Sequence, residues 1–212
     1  MVATKRQWID ITMEFGSAAG TFPGDAPYRM HWTGKIGDGH WAVNLSKFES
    51  SPHNGTHSDA PIHVLEGGAA SESLDPDAFI GPCVVIDATG TTGTALPASL
   101  VASVRSPRVL FRTRATKHGD AFPASFKGLS LELAKALAKS KVRLVGTDAP
   151  SMDAFDSKGL PAHKALFGAG SHVLENLDLS EAPPGEYELL ALPMKTRGLC
   201  AAPVRALLRR RS

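Results

Sequence analysis

The run Ser-Pro-His-Asn-Gly-Thr-His-Ser-Asp-Ala-Pro-Ile-His, from Ser51 to His63, constrains this chain more than any other stretch. It places His53, His57, Asp59 and His63 close together. Imidazole and carboxylate together suit a divalent transition metal, zinc first. All four positions are odd-numbered, and alternate side chains of an extended backbone share a face. One extended segment therefore presents all four to one site. It sends Ala60 and Ile62 the other way, into the core. A helix is the poorer expectation, because Pro52, Gly55 and Pro61 oppose it.

Three ligands, His53, His57 and Asp59, leave one position open for water, which is the pattern of a catalytic zinc rather than a structural one. A structural site favours cysteine, and Cys83 and Cys200 lie far apart in the chain. A metal lowers the pKa of its water toward neutrality and stabilises the oxyanion of an attacked carbonyl. His63, one step further along the same face, is the candidate proton shuttle. A second polar group, His163, His172 and Glu175, falls between Leu160 and Leu179, where either histidine can serve a metal. Serine chemistry has less support. There is no Gly-x-Ser-x-Gly elbow, and Ser151, near Asp148 and Asp153, is only a spare serine. No dinucleotide fingerprint or P-loop is present. A metal-binding protein without turnover is the alternative from another class, and the open position argues against it.

The length, 212 residues, suits one domain over 1–212, and the net charge of +2 implies no pull toward nucleic acid or anionic membrane. No stretch is apolar enough to span a bilayer, and the N-terminus lacks an apolar signal core. Two cysteines fit a reducing cytoplasm, each read as a buried thiol. Arg209, Arg210 and Arg211 read as a solvated tail, and His31, His40 and His118 as surface or turn residues. Strands are expected at Trp8 to Met13, Tyr28 to Trp32, Trp41 to Glu49, Phe79 to Ala88, Arg108 to Thr113, Val142 to Thr147 and Glu186 to Leu192. A short helix is expected over Ser99 to Val104. The clearest helix runs from Leu129 to Lys139, with Ser130 near its cap. Phe22 sits in a Pro-Gly turn loop and is a candidate pocket wall as well as an ordinary packing residue.

The segment from His53 to His63 resembles the signature H-x-G-T-H-x-D-x-P-x-H of the cyclase-like metal hydrolase family, and within it the kynurenine formamidases. The likeness covers nearly the whole chain. It takes in Phe22 to Asp25, Gly146 to Asp153, Pro183 to Leu189 and Ala202 to Leu208. It implies an α/β fold with a mixed, barrel-like sheet flanked by helices, working as a homodimer. It implies two metals per subunit, usually zinc with manganese as an alternative. His53, His57 and Asp59 would hold the first, and Asp59 would bridge to a second completed by His163 and Glu175. His63 would be catalytic. The implied reaction is hydrolysis of N-formyl-L-kynurenine, a small aryl formamide, to L-kynurenine and formate by attack of hydroxide on the formyl carbon. Isatin hydrolases share the signature, and Phe22 stands where kynurenine formamidases tend to carry Trp. A lactam or other amide is therefore the alternative substrate.

Overall fold

The computed structural model describes residues 8–39 and 41–211. His40 and residues 1–7, including the stretch read for a signal core, lie outside them. In chain order the strands begin with β1 (Ile9–Asp10), β2 (Arg29–Gly34), β3 (Leu45–Glu49), β4 (His57–Asp59) and β5 (Ile80–Asp87). They continue with β6 (Ala95–Leu96), β7 (Arg108–Arg112) and β8 (Gly128–Leu129). Helix α1 (Leu131–Lys139), β9 (Leu144–Thr147), helix α2 (Pro161–Gly168) and β10 (His172–Leu174) follow. The chain closes on β11 (Gly185–Leu190), β12 (Ala201–Pro203) and β13 (Leu207–Arg210).

Seven of these form one mixed sheet in the order β1-β13-β11-β5-β7-β9-β10, curled into a half-barrel. The neighbours β5, β7, β9 and β10 run parallel, while β11, β13 and β1 pair antiparallel. The parallel strands β7 and β9 are buried along almost their whole length, so Arg-Val-Leu-Phe and Leu-Val-Gly-Thr read as continuous runs. Side-chain alternation divides them between two cores. Leu110, Leu144 and Leu174 join Phe79, Tyr187 and Leu208 on one side. Val109, Phe111, Val145 and Val173 join Leu133, Leu137 and Leu166 on the other, where α1 and α2 lie. Arg108 is buried, and its guanidinium donates to the carbonyls of Ala78, Asp77 and Pro82.

Several boundaries differ from the sequence expectation for identifiable reasons. Helix α1 starts at Leu131, because the Ser130 hydroxyl accepts from Leu133 N at 3.1 Å and Leu129 pairs with Leu96 instead. The first strand is only Ile9–Asp10, and Thr12 bridges to Leu177. Residues Ala98–Ser103 form a 3-10 helix rather than an α-helix. The arginine run is no solvated tail. Arg209 and Arg210 lie in β13, over the rings of Trp8 and Tyr187. His118 is half-buried, with Nε2 2.9 Å from the Leu177 carbonyl oxygen. His31 is exposed, as expected.

The histidine stretch is not one strand. Only His57–Asp59 is extended; His53 sits in the preceding turn, and Pro61–His63 is a 3-10 turn. Gly55 at φ +62° ends any continuous strand on one side, and Pro61 starts the 3-10 turn on the other. Ala60 is buried as the alternation predicts, but Ile62 is 42% exposed. The turn is tied down from outside. Asn54 Oδ1 accepts from Gly16 N, and Thr56 Oγ1 accepts from Met13 N and donates to Asn176 O. Gly20 backs directly onto it: a Cβ there would lie 2.6 Å from Gly55 N. Gly20→Ala is therefore expected to destabilise the chain by about 1–3 kcal/mol in urea unfolding and to lower its metal content, because the Gly55 backbone, and not the flexible Met13 side chain alone, must move.

Candidate metal centre

Four elements meet at one mouth of the sheet. Strand β4 pairs antiparallel with β12 on one side and bridges to Glu175, just past β10, on the other. The amides of His57 and Glu175 exchange backbone hydrogen bonds with each other's carbonyls at 3.3 and 3.0 Å. This register sets their side chains together, with His57 Nε2 3.3 Å from Glu175 Oε2. Helix α2 supplies His163. Its first turn is capped by Asp153, whose carboxylate accepts from Ala162 N at 2.8 Å and His163 N at 3.1 Å.

Asp59 stands at the centre, 1% exposed. Its Oδ1 lies 2.8 Å from His53 Nδ1 and 3.3 Å from His57 Nε2. Its Oδ2 lies 3.3 Å from His163 Nε2 and 3.7 Å from His63 Nε2. Glu175 Oε1 is 3.0 Å from His163 Nε2 and also accepts from Met152 N. Ligating atoms of His53, His57 and Asp59 lie within 4.8 Å of one another, as do those of Asp59, His163 and Glu175. The two groups share Asp59.

The donor set fits divalent metal. Asp59 Oδ1 and His163 Nε2 are fully buried, yet neither has an aligned hydrogen-bond partner. Their near neighbours lie within 3.3 Å without being aligned for a hydrogen bond, and buried polar atoms left so suit a cation. Each buried imidazole is also oriented from behind. His57 Nδ1 is 2.9 Å from the Gly55 carbonyl oxygen, and His163 Nδ1 is 2.7 Å from Asp153 Oδ2. A proton held on Nδ1 leaves the Nε2 lone pair facing the centre.

Without a cation the cluster holds protons. Burial works to lower the pKa of His53, but the close Asp59 carboxylate and the Cys200 sulfur raise it to about 10. Burial likewise opposes protonation of His57, and its bonds to Asp59 and Glu175 raise it to about 9. Burial resists ionisation of Asp59, yet the close imidazoles of His163, His53 and His57 hold its carboxyl well below the usual range. These raised histidine values stabilise the metal-free fold fully below the ordinary histidine pKa of about 6.5, and that stabilisation is lost as pH rises through about 9 to 10. Metal must displace the same protons. Zinc added to metal-free protein at pH 7 in weak buffer is expected to acidify the solution, with affinity rising from pH 6 to 9. A titration with no proton release would contradict this.

His63 is different. Burial is the leading cause of its lowered pKa, so its imidazole is neutral at neutral pH. It is the most exposed histidine of the group and lines a cleft of about 570 Å³. Aromatic rings wall the cleft. Phe22 meets Phe122 edge-on at 5.2 Å and stacks near Phe155 at 5.6 Å.

The structure thus brings His53, His57, Asp59, His63, His163 and Glu175 together, with Phe22 on the rim. His172 does not join them; it rests against Phe79 on β10. Ser151 accepts from Asp153 N, and the Asp148 carboxylate is engaged by Thr113 and Arg114, so no serine-activating pair exists there. Sequence reasoning missed Asp153, Phe122 and Phe155, whose spacing carries no signal. It also took Cys200 for a buried thiol. Cys83 is buried, but Cys200 is half-buried on the cleft wall, 3.2 Å from His53 Nε2, with its pKa lowered chiefly by that contact.

The mixed sheet gathers imidazoles and carboxylates around one buried aspartate, a donor set of the kind that binds divalent metal. More narrowly, the chain belongs to the cyclase family, whose profile matches residues 9–154. It is 41% identical over 204 residues to a kynurenine formamidase of Salinibacter ruber, covering 95% of this chain and 96% of that one. It is 41% identical over 216 residues to a kynurenine formamidase of Paracidovorax citrulli, covering 98% and 99%. A solved structure described as a "Potential Metal-Dependent Hydrolase With Cyclase Activity" superposes with a TM-score of 0.82 at 30% identity, over 97% of this chain and 98% of that one. Among the described residues no helix is long and apolar enough to cross a membrane.

Proposed function

We propose that this chain is a metal-dependent arylformamidase that hydrolyses N-formyl-L-kynurenine to L-kynurenine and formate. The observation that carries the reading is Asp59, whose two oxygens face separate imidazole groups from the centre of the cluster. His53, His57 and Asp59 would hold one cation, and Asp59, His163 and Glu175 would hold the second. A carboxylate between two cations offsets their repulsion. Such cations, when bound, would supply Lewis acidity and an acidified water.

The chain's own residues do the rest. Phe22, Phe122 and Phe155 take the aryl ring and keep bulk water from the formyl group. Neutral His63 accepts a proton from the attacking water and returns it to the aryl nitrogen as the C–N bond breaks. Asp153 and the Gly55 carbonyl hold His163 and His57 in place.

Zinc, two ions per subunit, is the proposed occupant, with manganese acceptable to the same ligands. The chain is proposed to act as one domain over residues 1–212, as a cytoplasmic homodimer. Support for the dimer comes from the β2–β3 hairpin, where Met30, Trp32 and Phe48 share one face and are each about half exposed. Metal analysis coupled to turnover of N-formylkynurenine and of isatin tests the reading. About two divalent ions per chain, with the formamide strongly preferred, is the expected result. Metal-loaded protein inactive on the formamide would refute it, and preference for isatin would move the substrate to the lactam class.

A further inference from the structure

Three imidazoles aim one ring nitrogen at the Asp59–Glu175 centre, and the other nitrogen of each meets a different group. For His57 it is the Gly55 carbonyl at 2.9 Å, and for His163 the Asp153 carboxylate at 2.7 Å. His53 is turned the other way round. Its Nδ1 faces Asp59 Oδ1 at 2.8 Å, and its Nε2 lies 3.2 Å from Cys200 Sγ. We infer that Cys200 is a positioning residue of the metal centre, whose sulfur accepts the Nε2–H of His53 and so fixes the ring orientation in which Nδ1 binds metal.

The inference rests on the metal-centre reading above. An imidazole that gives Nδ1 to a cation must carry its proton on Nε2, and that N–H needs an acceptor. Such acceptors set the tautomer and the basicity of the ligand. Backbone pairing places the residue that carries the sulfur. The Cys200 carbonyl accepts from Ala60 N at 2.8 Å, and Ala201 pairs with Asp59 in the β12–β4 ladder. The Cys200 backbone is therefore positioned by the same strand pair that positions Asp59. Its sulfur also lies within 4.8 Å of ligating atoms of His53 and His63, close enough for direct ligation, and the two roles give different spectra.

The test uses the full chain, stripped of metal and reloaded, as unaltered protein, Cys200→Ala and Cys200→Ser. Zinc affinity is read by competition with a chromogenic chelator, and cobalt-loaded forms are read by absorption. Cys200→Ala is expected to weaken zinc binding about 10- to 100-fold. Cys200→Ser retains an acceptor and is expected to recover most of that loss. The cobalt form of the unaltered protein is expected to lack a sulfur-to-cobalt charge-transfer band. The metal-free forms are each expected to remain folded, with superimposable circular-dichroism spectra. A band that disappears in Cys200→Ser would overturn the inference in favour of direct ligation. Cys200→Ala holding zinc as tightly as unaltered protein would also overturn it, as would a metal-free Cys200→Ala that is unfolded. Unaltered protein that takes up no zinc would sink the metal-centre reading itself; full loading with no effect of Cys200→Ala would sink this inference alone.

Discussion

Asp59→Asn is expected to strip the protein of metal and of activity while leaving it folded. The substitution keeps the volume of a side chain that is 1% exposed, so the packing around β4 has no reason to collapse. What changes is charge and bonding. One oxygen becomes an amide nitrogen that donates where a lone pair was needed, and the anion between the two ligand groups is gone. The loss of metal affinity is expected to exceed the roughly 10- to 100-fold typical of outer-shell changes, because Asp59 belongs to both ligand groups. The metal-free variant should also lose the high pKa values of His53 and His57, which burial opposes and the close Asp59 carboxylate does most to raise. Elemental analysis and NMR titration of the imidazoles are the measurements. A variant that retains both ions would remove Asp59 from the centre of the site.

His63→Ala is expected to separate catalysis from metal binding. His63 Nε2 is 3.7 Å from Asp59 Oδ2, and its ring stands open to the cleft. Loss of a proton shuttle costs about 10²- to 10⁴-fold in kcat. Metal content should be unchanged and KM nearly so. The pH profile gives a second readout. Burial lowers the His63 pKa, so the acid limb of kcat/KM in unaltered protein is expected to fall below the ordinary histidine value of about 6.5 and to vanish in the variant. A kcat within about tenfold of unaltered protein would leave His63 without a proton-transfer role.

The two predictions draw on residues that sequence reasoning found, though not by the geometry it used. Shared parity suggested one extended segment, whereas Gly55 and Pro61 break it into turn, strand and 3-10 turn. The side chains converge because Asn54, Thr56 and Gly20 fold the turn back onto the strand. Local composition was therefore a better guide than local conformation. Helix α1 was legible because its apolar spacing and its Ser130 cap agree. The arginine run was not, because nothing local says that a sheet will extend through charged residues whose stems and guanidinium groups cover Trp8 and Tyr187. His163 and His172 were equivalent by composition. Only the placement of one on a helix facing Asp59, and of the other on a strand facing Phe79, tells them apart. Phe122 and Phe155 were invisible for the same reason, since ring contacts between distant loops leave no period to read.

Asp153 has a further consequence. The same carboxylate starts helix α2 and holds the ring of His163, so fraying of one turn disarms the other. A helix end opens more readily than a protein melts. Heat inactivation should therefore begin below the global transition, at the pace of a single turn coming undone, and a bound cation should slow it by holding His163 from the opposite side.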